Sequence, residues 1–287
     1  MGASGTRNAA VAPAPAVGRA GDVLALVTSA APWSAAAVVG ARLAARWNGT
    51  LTGCYLDPAL RLLNAAEAEP TVLALLYESS QSQDDPARAD FAGFAARYGV
   101  QAARWAVVRT GVAQTLRMLG AWHDLAVLER DLVAPEGLFE VLGEALLGCR
   151  TPCLVLPEGE PEAAFARIAV GWNGRIEAIR AIRAALPLLA GAGEVCVLDG
   201  APEPDEDVSG LPRFDPCAYL AAHGIAARRR RFHAEPSSAG AALLREVRGY
   251  DLLVMGAYGH SRMRERVLGG ATRHVLEHAR VPVLMMH

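Results

Sequence analysis

Short apolar segments alternate with longer amphipathic segments along nearly the whole chain. The apolar segments are rich in Val, Leu and Ile, which is typical of buried β-strands, and the amphipathic ones, such as Ala35–Arg46 and Glu177–Leu189, carry apolar residues at helical spacing. Continuous apolar strands separated by helices predict an α/β fold, with a parallel sheet covered by helices on both faces. The predicted strands are Val23–Val27, Leu51–Leu56, Ala106–Val108, Leu125–Leu128, Leu154–Leu156, Ile168–Val170, Glu194–Leu198, Ala226–Phe232, Leu252–Met255 and Val283–Met286.

The two halves of the chain resemble each other. DLAVLERD (Asp124–Asp131) parallels DLLVMGAY (Asp251–Tyr258), and CRTPCLVLP (Cys149–Pro157) parallels ARVPVLMMH (Ala279–His287). A unit of roughly 130 residues is too long for a solenoid repeat and suits a domain. We therefore expect two tandem domains, at residues 21–157 and 165–287, joined by an acidic linker. Residues 1–20, rich in Ala, Pro and Gly, are expected to be a disordered tail, and residues 57–88 a partly helical insertion in the first domain.

Composition narrows the classes of function. All 28 basic residues are arginines, so a Walker A loop and lysine Schiff-base chemistry are excluded. The formal net charge of −2 argues against nucleic-acid binding, and no apolar run is long enough for a membrane span. The basic run Arg228–Arg231 lies in a predicted strand, where its side chains are expected to be solvated or paired with Glu and Asp. The five cysteines lack a CxxC pair and indicate reduced core residues of a cytoplasmic protein. Metal or redox use of Cys149 and Cys153, which flank a proline, is the less favoured alternative.

The candidate binding residues lie in loops at the carboxyl ends of the second-half strands, where parallel sheets bind ligands. Gly256 and Gly259 directly follow a predicted strand, and after a nine-residue gap Gly269 and Gly270 open the predicted helix Ala271–His278. Glycine lets the backbone approach a ligand, and a helix start offers free N–H groups to phosphate. The alternative is that these glycines are ordinary turn and cap residues.

The same residues resemble the universal stress protein family. The family's pattern Gly-x2-Gly-x9-Gly-(Ser/Thr) is matched by Gly256, Gly259 and Gly269, while IAVGWNGRIEAIRA and ATRHVLEHARVPVLMMH are similar to its first strand and helix and to its last helix and strand. The resemblance implies two tandem Rossmann-like (adenine nucleotide alpha hydrolase-like) domains, each with a five-stranded parallel sheet. It also implies that the last strands, Cys153–Leu156 and Val283–Met286, pair with each other.

The resemblance further implies an adenine nucleotide, ATP, ADP or AMP, bound in the second domain. Two positions depart from the family pattern: Asn173 replaces an acidic residue that holds the adenosine end, and Gly270 replaces the hydroxyl residue that meets phosphate. ATP binding is therefore expected to be weakened. The residues expected to bind the nucleotide are Gly171, Asn173, Gly200, Met255, Gly256, Gly259, Gly269, Gly270, Ala271 and Thr272.

The first domain lacks the glycine pattern. Glu129 stands where Gly256 does in the second domain, Leu132 where Gly259 does, and Asp131 adds negative charge near the expected phosphate position. At most one nucleotide site is therefore expected in the chain.

Three functions remain open on the sequence. The first is a regulatory or protective stress-response protein that binds a nucleotide. The second is a structural or partner-binding protein with a vestigial site, and the third, least supported, is a slow ATPase. No catalytic residue is identified. A homodimer and an unidentified protein partner both stay open, whereas nucleic acid and membrane are not expected as partners.

Overall fold

The computed structural model describes residues 21–56, 84–108, 112–132, 146, 151–159, 164–201, 213–257 and 270–287. Several predictions fall outside these ranges: the tail at 1–20, most of the insertion at 57–88, and the loop that holds Gly259 and Gly269. We call residues 21–159 the first half of the chain and residues 164–287 the second half.

All ten predicted strands are present, most of them extended by a residue or two. They are β1 Asp22–Val27, β2 Thr50–Leu56, β3 Ala102–Val108, β4 Leu125–Glu129, β5 Cys153–Leu156, β6 Arg167–Trp172, β7 Glu194–Asp199, β8 Ala227–Arg231, β9 Leu252–Gly256 and β10 Val283–Met286. Only β3 begins well before its prediction. It is partly exposed along its length, so its first half lacks the apolar run that marks a buried strand.

The described helices connect these strands. They are α1 Ala35–Arg46, α2 Asp84–Arg97, α3 Val112–Gly120, α4 Ile176–Leu189, α5 Pro216–Ala222, α6 Ala239–Glu246 and α7 Gly270–His278. Helix α7 begins at Gly270, one residue earlier than predicted. In the second half, three residues separate β6 from α4.

The strands form one ten-stranded sheet in the order β3-β2-β1-β4-β5-β10-β9-β6-β7-β8. Within each half every pair is parallel, and β5 pairs antiparallel with β10, with Leu154 opposite Leu284. The pairing of the two last strands, implied by the family resemblance, is therefore present. It joins the two halves edge to edge instead of leaving two separate sheets.

Helices cover both faces of this sheet. Buried residues of α1, α2, α4 and α5 pack on one face, and buried residues of α3, α6 and α7 pack on the other. The strand interiors are fully buried, as for Val23–Val27 and Ile168–Val170. A parallel sheet buried on both faces requires such continuous apolar strands, so the predicted α/β class is confirmed.

The basic run lies on β8, an edge strand of the sheet. Arg228 contacts Glu194 and donates a hydrogen bond to the Tyr250 hydroxyl at 3.0 Å. Along the same strand, Arg229 lies near Asp199 and Asp215, and Arg230 near Glu246. These arginines are paired with acidic residues, as the sequence predicted, and a charged edge also disfavours pairing with another chain.

The cysteines that the structure describes behave as core residues. Cys54, Cys153 and Cys196 are buried and Cys217 is half-buried, all as free thiols. Burial raises the pKa of the Cys54 thiol to about 12, so the unreactive protonated form dominates at neutral pH. Among the described helices, none is long and apolar enough to cross a membrane.

Candidate functional site

Three strands of the second half bring the candidate residues to the same side of the sheet, at the carboxyl ends of the strands. β9, β6 and β7 are neighbours and parallel, so their carboxyl ends coincide. Gly256 ends β9, Asn173 follows β6 and Gly200 follows β7. The structure therefore brings these three predicted residues together at the edge where open α/β sheets bind ligands.

Gly256 is required by packing at this edge. A Cβ atom at this position would lie 2.6 Å from the backbone nitrogen of Ala178 and 2.6 Å from the carbonyl carbon of Glu177. Both atoms belong to the first turn of α4, and backbone cannot move aside as a flexible side chain can. Only glycine lets the end of β9 meet the start of α4 so closely.

Packing also requires a glycine at position 200, but it does not require one at position 171. A Cβ at Gly200 would lie 2.7 Å from the Phe232 ring, so the ring occupies the space of a side chain. At Gly171 the nearest atoms would be those of Leu243 at 3.4 Å, which is ordinary contact. Met255 points into the apolar core of the opposite face. These positions shape the strand ends, and packing accounts for Gly200 and Met255 without a ligand.

Within the part of the chain that the structure describes, the start of α7 has space around it, whereas the start of α4 is crowded. No atom of the described part of the chain would lie within 4 Å of a Cβ at Gly270, which is exposed. Ala271 is half-buried and Thr272 is buried beneath the first turn. The first N–H groups of a helix have no partner within it and mark the positive end of its dipole, so this end can receive an anion.

Asn173 is exposed, and its side chain is engaged locally. Its Oδ1 atom accepts a hydrogen bond from the Arg175 backbone N–H at 3.1 Å, which closes the short turn between β6 and α4. Its side-chain amide group still faces solvent and can donate. The Oδ1 atom of Asn173 is therefore already engaged in this turn.

Glu177 is a candidate site residue that the sequence analysis missed. It lies in the first turn of α4, beside Gly256, and its Oε2 atom is buried without a hydrogen-bond partner among the described residues. A buried unpaired carboxylate oxygen is costly, and in native proteins it calls for an explanation such as a ligand. The sequence offered one signal: a carboxylate four residues after Asn173, at the start of a helix.

In the first half, a carboxylate side chain occupies the position that corresponds to Gly256. Glu129, the counterpart of Gly256, accepts a hydrogen bond from the Ala36 N–H at 2.8 Å through Oε1 and from the Thr28 hydroxyl at 3.1 Å through Oε2. Thr28 follows β1 as Asn173 follows β6. The ends of the first and fourth strands are thus tied together, and a carboxylate takes the start of α1.

The difference between the halves has a structural cause. In the first half, seven residues at 28–34 connect β1 to α1, against three at 173–175 in the second half. The longer connection leaves room for a side chain at Glu129, and the start of α1 gains an acidic partner that suits its dipole. No group of three His, Cys, Asp or Glu side chains that could hold a metal ion occurs within the described ranges.

The mostly parallel sheet with helices on both faces and glycines at its strand ends defines the class of α/β fold. A model of the universal stress protein family matches residues 164–287. The second half of the chain belongs to the universal stress protein family. No curated protein matches the chain.

Solved structures extend the likeness of fold to the whole chain. A universal stress protein from Archaeoglobus fulgidus DSM 4304 is 14% identical, with 93% of this chain and 96% of that chain covered and a TM-score of 0.62. A functionally unknown protein from Pseudomonas aeruginosa PAO1 is 12% identical, with 92% of each chain covered and a TM-score of 0.56. A universal stress protein in complex with cAMP is 24% identical over 43% of this chain and 98% of that chain, with a TM-score of 0.31.

The two glycines of the candidate site predict opposite effects on stability. Gly256→Ala forces a methyl group against the α4 backbone and is expected to lower the free energy of unfolding by about 1–3 kcal/mol. Gly270→Ala enters open space in a helical turn and is expected to raise it by about 0.5 kcal/mol. Urea unfolding of ligand-free protein measures both. Equal effects of the two substitutions would contradict the close approach at Gly256.

Proposed function

We propose that the chain is a stress-response regulatory or protective protein that binds one adenine nucleotide, in its second half only. The observation that carries this proposal is the contrast at the end of the fourth strand. In the first half the Glu129 carboxylate occupies that position and is hydrogen-bonded to Thr28 and the Ala36 N–H. In the second half no side chain ties the strand ends together: Gly256 lies against the first turn of α4, beside the Glu177 Oε2 atom, which has no hydrogen-bond partner among the described residues.

The proposed site has a polarity set by charge. The Glu177 carboxylate repels phosphate but accepts hydrogen bonds, so it suits ribose hydroxyls or an amino group. The start of α7 at Gly270, with its free N–H groups, suits phosphate. The nucleoside is therefore assigned to the α4 end of the site and the phosphates to the α7 end.

Glu177 also compensates for the asparagine that replaces an acidic residue at position 173. A carboxylate in the first turn of α4 can hold the nucleoside hydroxyls that an acidic residue at 173 would hold. The loss at Gly270 is smaller than it looks from the sequence, because the helix N–H groups remain when the hydroxyl does not. Both departures then weaken the site without removing it.

A partner-binding protein with a vestigial site is the second candidate, and one observation favours it. Gly256 and Gly200 are explained by the close approach of α4 and of the Phe232 ring, without any ligand. A chain that had lost nucleotide binding would keep both glycines for packing. The two candidates differ in whether the protein has a saturable nucleotide site.

A charge placed in the glycine loop tests the site. Gly259→Asp puts a side chain and a negative charge in the proposed phosphate path and is expected to weaken ATP binding at least tenfold, a loss of about 1.4 kcal/mol. Gly93→Asp is the matched control, since a Cβ at Gly93 meets no described atom within 4 Å and α2 belongs to the first half. Titrations with ATP, ADP and AMP, followed by heat release and thermal stability, provide the measurement.

The wild-type titration decides between the candidates. Saturable binding that Gly93→Asp keeps and Gly259→Asp loses supports the proposal. Absence of binding for all three nucleotides favours the vestigial site, and equal affinity of the two variants shows that the ligand lies elsewhere. Release of phosphate from ATP above background would establish the slow ATPase.

Glu177→Gln is expected to change stability and affinity in opposite directions. Glu177 is half-buried, and its Oε2 atom has no hydrogen-bond partner among the described residues. An amide there removes a poorly compensated charge, so the ligand-free protein should gain up to about 1 kcal/mol of unfolding free energy. Nucleotide affinity should fall severalfold, because a charge-assisted hydrogen bond becomes a neutral one. Chemical unfolding and calorimetric titration measure the two effects. A loss of stability together with unchanged affinity would remove Glu177 from the site.

A further inference from the structure

We propose that Arg130 of the first half is a positioning residue for the phosphate end of the second-half site. Arg130 acts by holding the carboxyl end of α7 in place, and it contacts no nucleotide itself. This inference rests on the proposed function, and it assigns a role to the degenerate half of the chain that the site alone does not require.

Arg130 crosses the boundary between the halves. Its Nη1 atom donates hydrogen bonds to the carbonyl oxygens of Ala279 at 2.9 Å, Glu277 at 3.3 Å and Leu276 at 3.4 Å. The side chain is 21% exposed, and its other partner, Glu158, is a distant and exposed one at 3.7 Å. The guanidinium group is therefore directed mainly at the carboxyl end of α7.

The contact is of the kind that fixes a helix end. The last carbonyl groups of a helix have no partner within it, and a cation there also meets the negative end of the helix dipole. Val275 is already satisfied, since its carbonyl accepts the Ala279 N–H at 2.8 Å. Arg130 supplies donors to carbonyls that the helix itself leaves unpaired.

The other end of α7 is fixed by a glycine in α6. A Cβ at Gly240 would lie 2.8 Å from the Ala271 carbonyl oxygen and 2.9 Å from Cβ of His274. The first turns of α7 thus lie directly against the backbone of α6. With Arg130 at its carboxyl end, α7 is held at two points, and the Arg130 contact comes from the other half of the chain.

The arrangement is asymmetric. The second-half counterpart of Arg130 is Ala257, which is fully buried and whose N–H bonds to the Met286 carbonyl at 2.9 Å. In the first half, Glu129 closes the local strand ends and the next residue, Arg130, reaches across to α7. The degenerate site has thus become a support for the intact one.

Because α7 is short, a shift of its carboxyl end also moves its amino end. Nine residues span about 13 Å, and a helix held at one point can tilt about it. Tilting moves the N–H groups at Gly270 and Ala271 away from the position that receives phosphate, so binding must first restore their order. Arg130 keeps that order in the ligand-free protein.

The test compares Arg130→Ala with Arg130→Lys and with Arg167→Ala in the full-length chain. Arg167 is the matched control, because it forms an exposed ion pair with Asp251 at 3.2 Å that does not reach α7. ATP affinity is measured by calorimetry well below the unfolding temperature. Backbone hydrogen exchange of α7 is measured without nucleotide, and thermal unfolding reports global stability.

We expect Arg130→Ala to weaken ATP binding by roughly three- to tenfold and to speed exchange throughout α7, including its first turns. Arg130→Lys should fall between this variant and wild type, since a lysine keeps the charge but not the spread of donors. Arg167→Ala should match wild type in both readouts. A general loss of stability would instead lower the unfolding temperature and leave affinity unchanged.

The outcomes separate this inference from the proposed function. If wild type binds ATP and Arg130→Ala binds it equally well, the positioning role is wrong and the site stands. If wild type binds no nucleotide, the proposed function is wrong, and the positioning of α7 is then judged by exchange alone. Unchanged exchange in Arg130→Ala would overturn that positioning as well.

Discussion

The antiparallel pairing of β5 with β10 is the constraint on which the rest of the structure depends. Main-chain hydrogen bonds between these strands, with Leu154 opposite Leu284, join two parallel sheets into one. Each half would otherwise expose an edge strand with unpaired backbone groups. Because the register is fixed here, Arg130 of one half is held within reach of α7 in the other.

Joining two copies in one chain lets them diverge while the sheet is kept. Each copy needs the apolar strands and covering helices for the shared core, and both have them. The residues at the strand ends are not needed for the shared core, so they can differ between the two copies. In the first half a longer turn and Glu129 close the strand ends, and in the second half Gly256 and the short turn at Asn173 keep the start of α4 close to β9.

The fold was largely predictable from the sequence, because apolar periodicity reports burial directly. All ten strands were located, and β3 was mispositioned at its start, where an exposed strand lacks the apolar signal. The packing reasons for Gly256 and Gly200 were not predictable, since they depend on contacts with Ala178 and Phe232 that the sequence does not display. The glycine pattern alone cannot distinguish a close approach of backbone from a ligand cradle.

The site was predicted in part for the same reason. The positions after β6, β7 and β9 follow from topology, and the structure brings them together. Glu177 was missed because its significance is a missing hydrogen-bond partner, which has no counterpart in sequence. Arg130 was missed because its partners are backbone carbonyls far along the chain, and any residue type can supply those.

The stoichiometry of nucleotide binding tests the central claim most directly. The claim is that the two halves share a fold and that only the second half binds an adenine nucleotide. Calorimetric titration of the full-length protein with ATP should give one site per chain. Two sites per chain would show that the Glu129 carboxylate does not close the first half, and a chain that binds no ATP would contradict the account of the second.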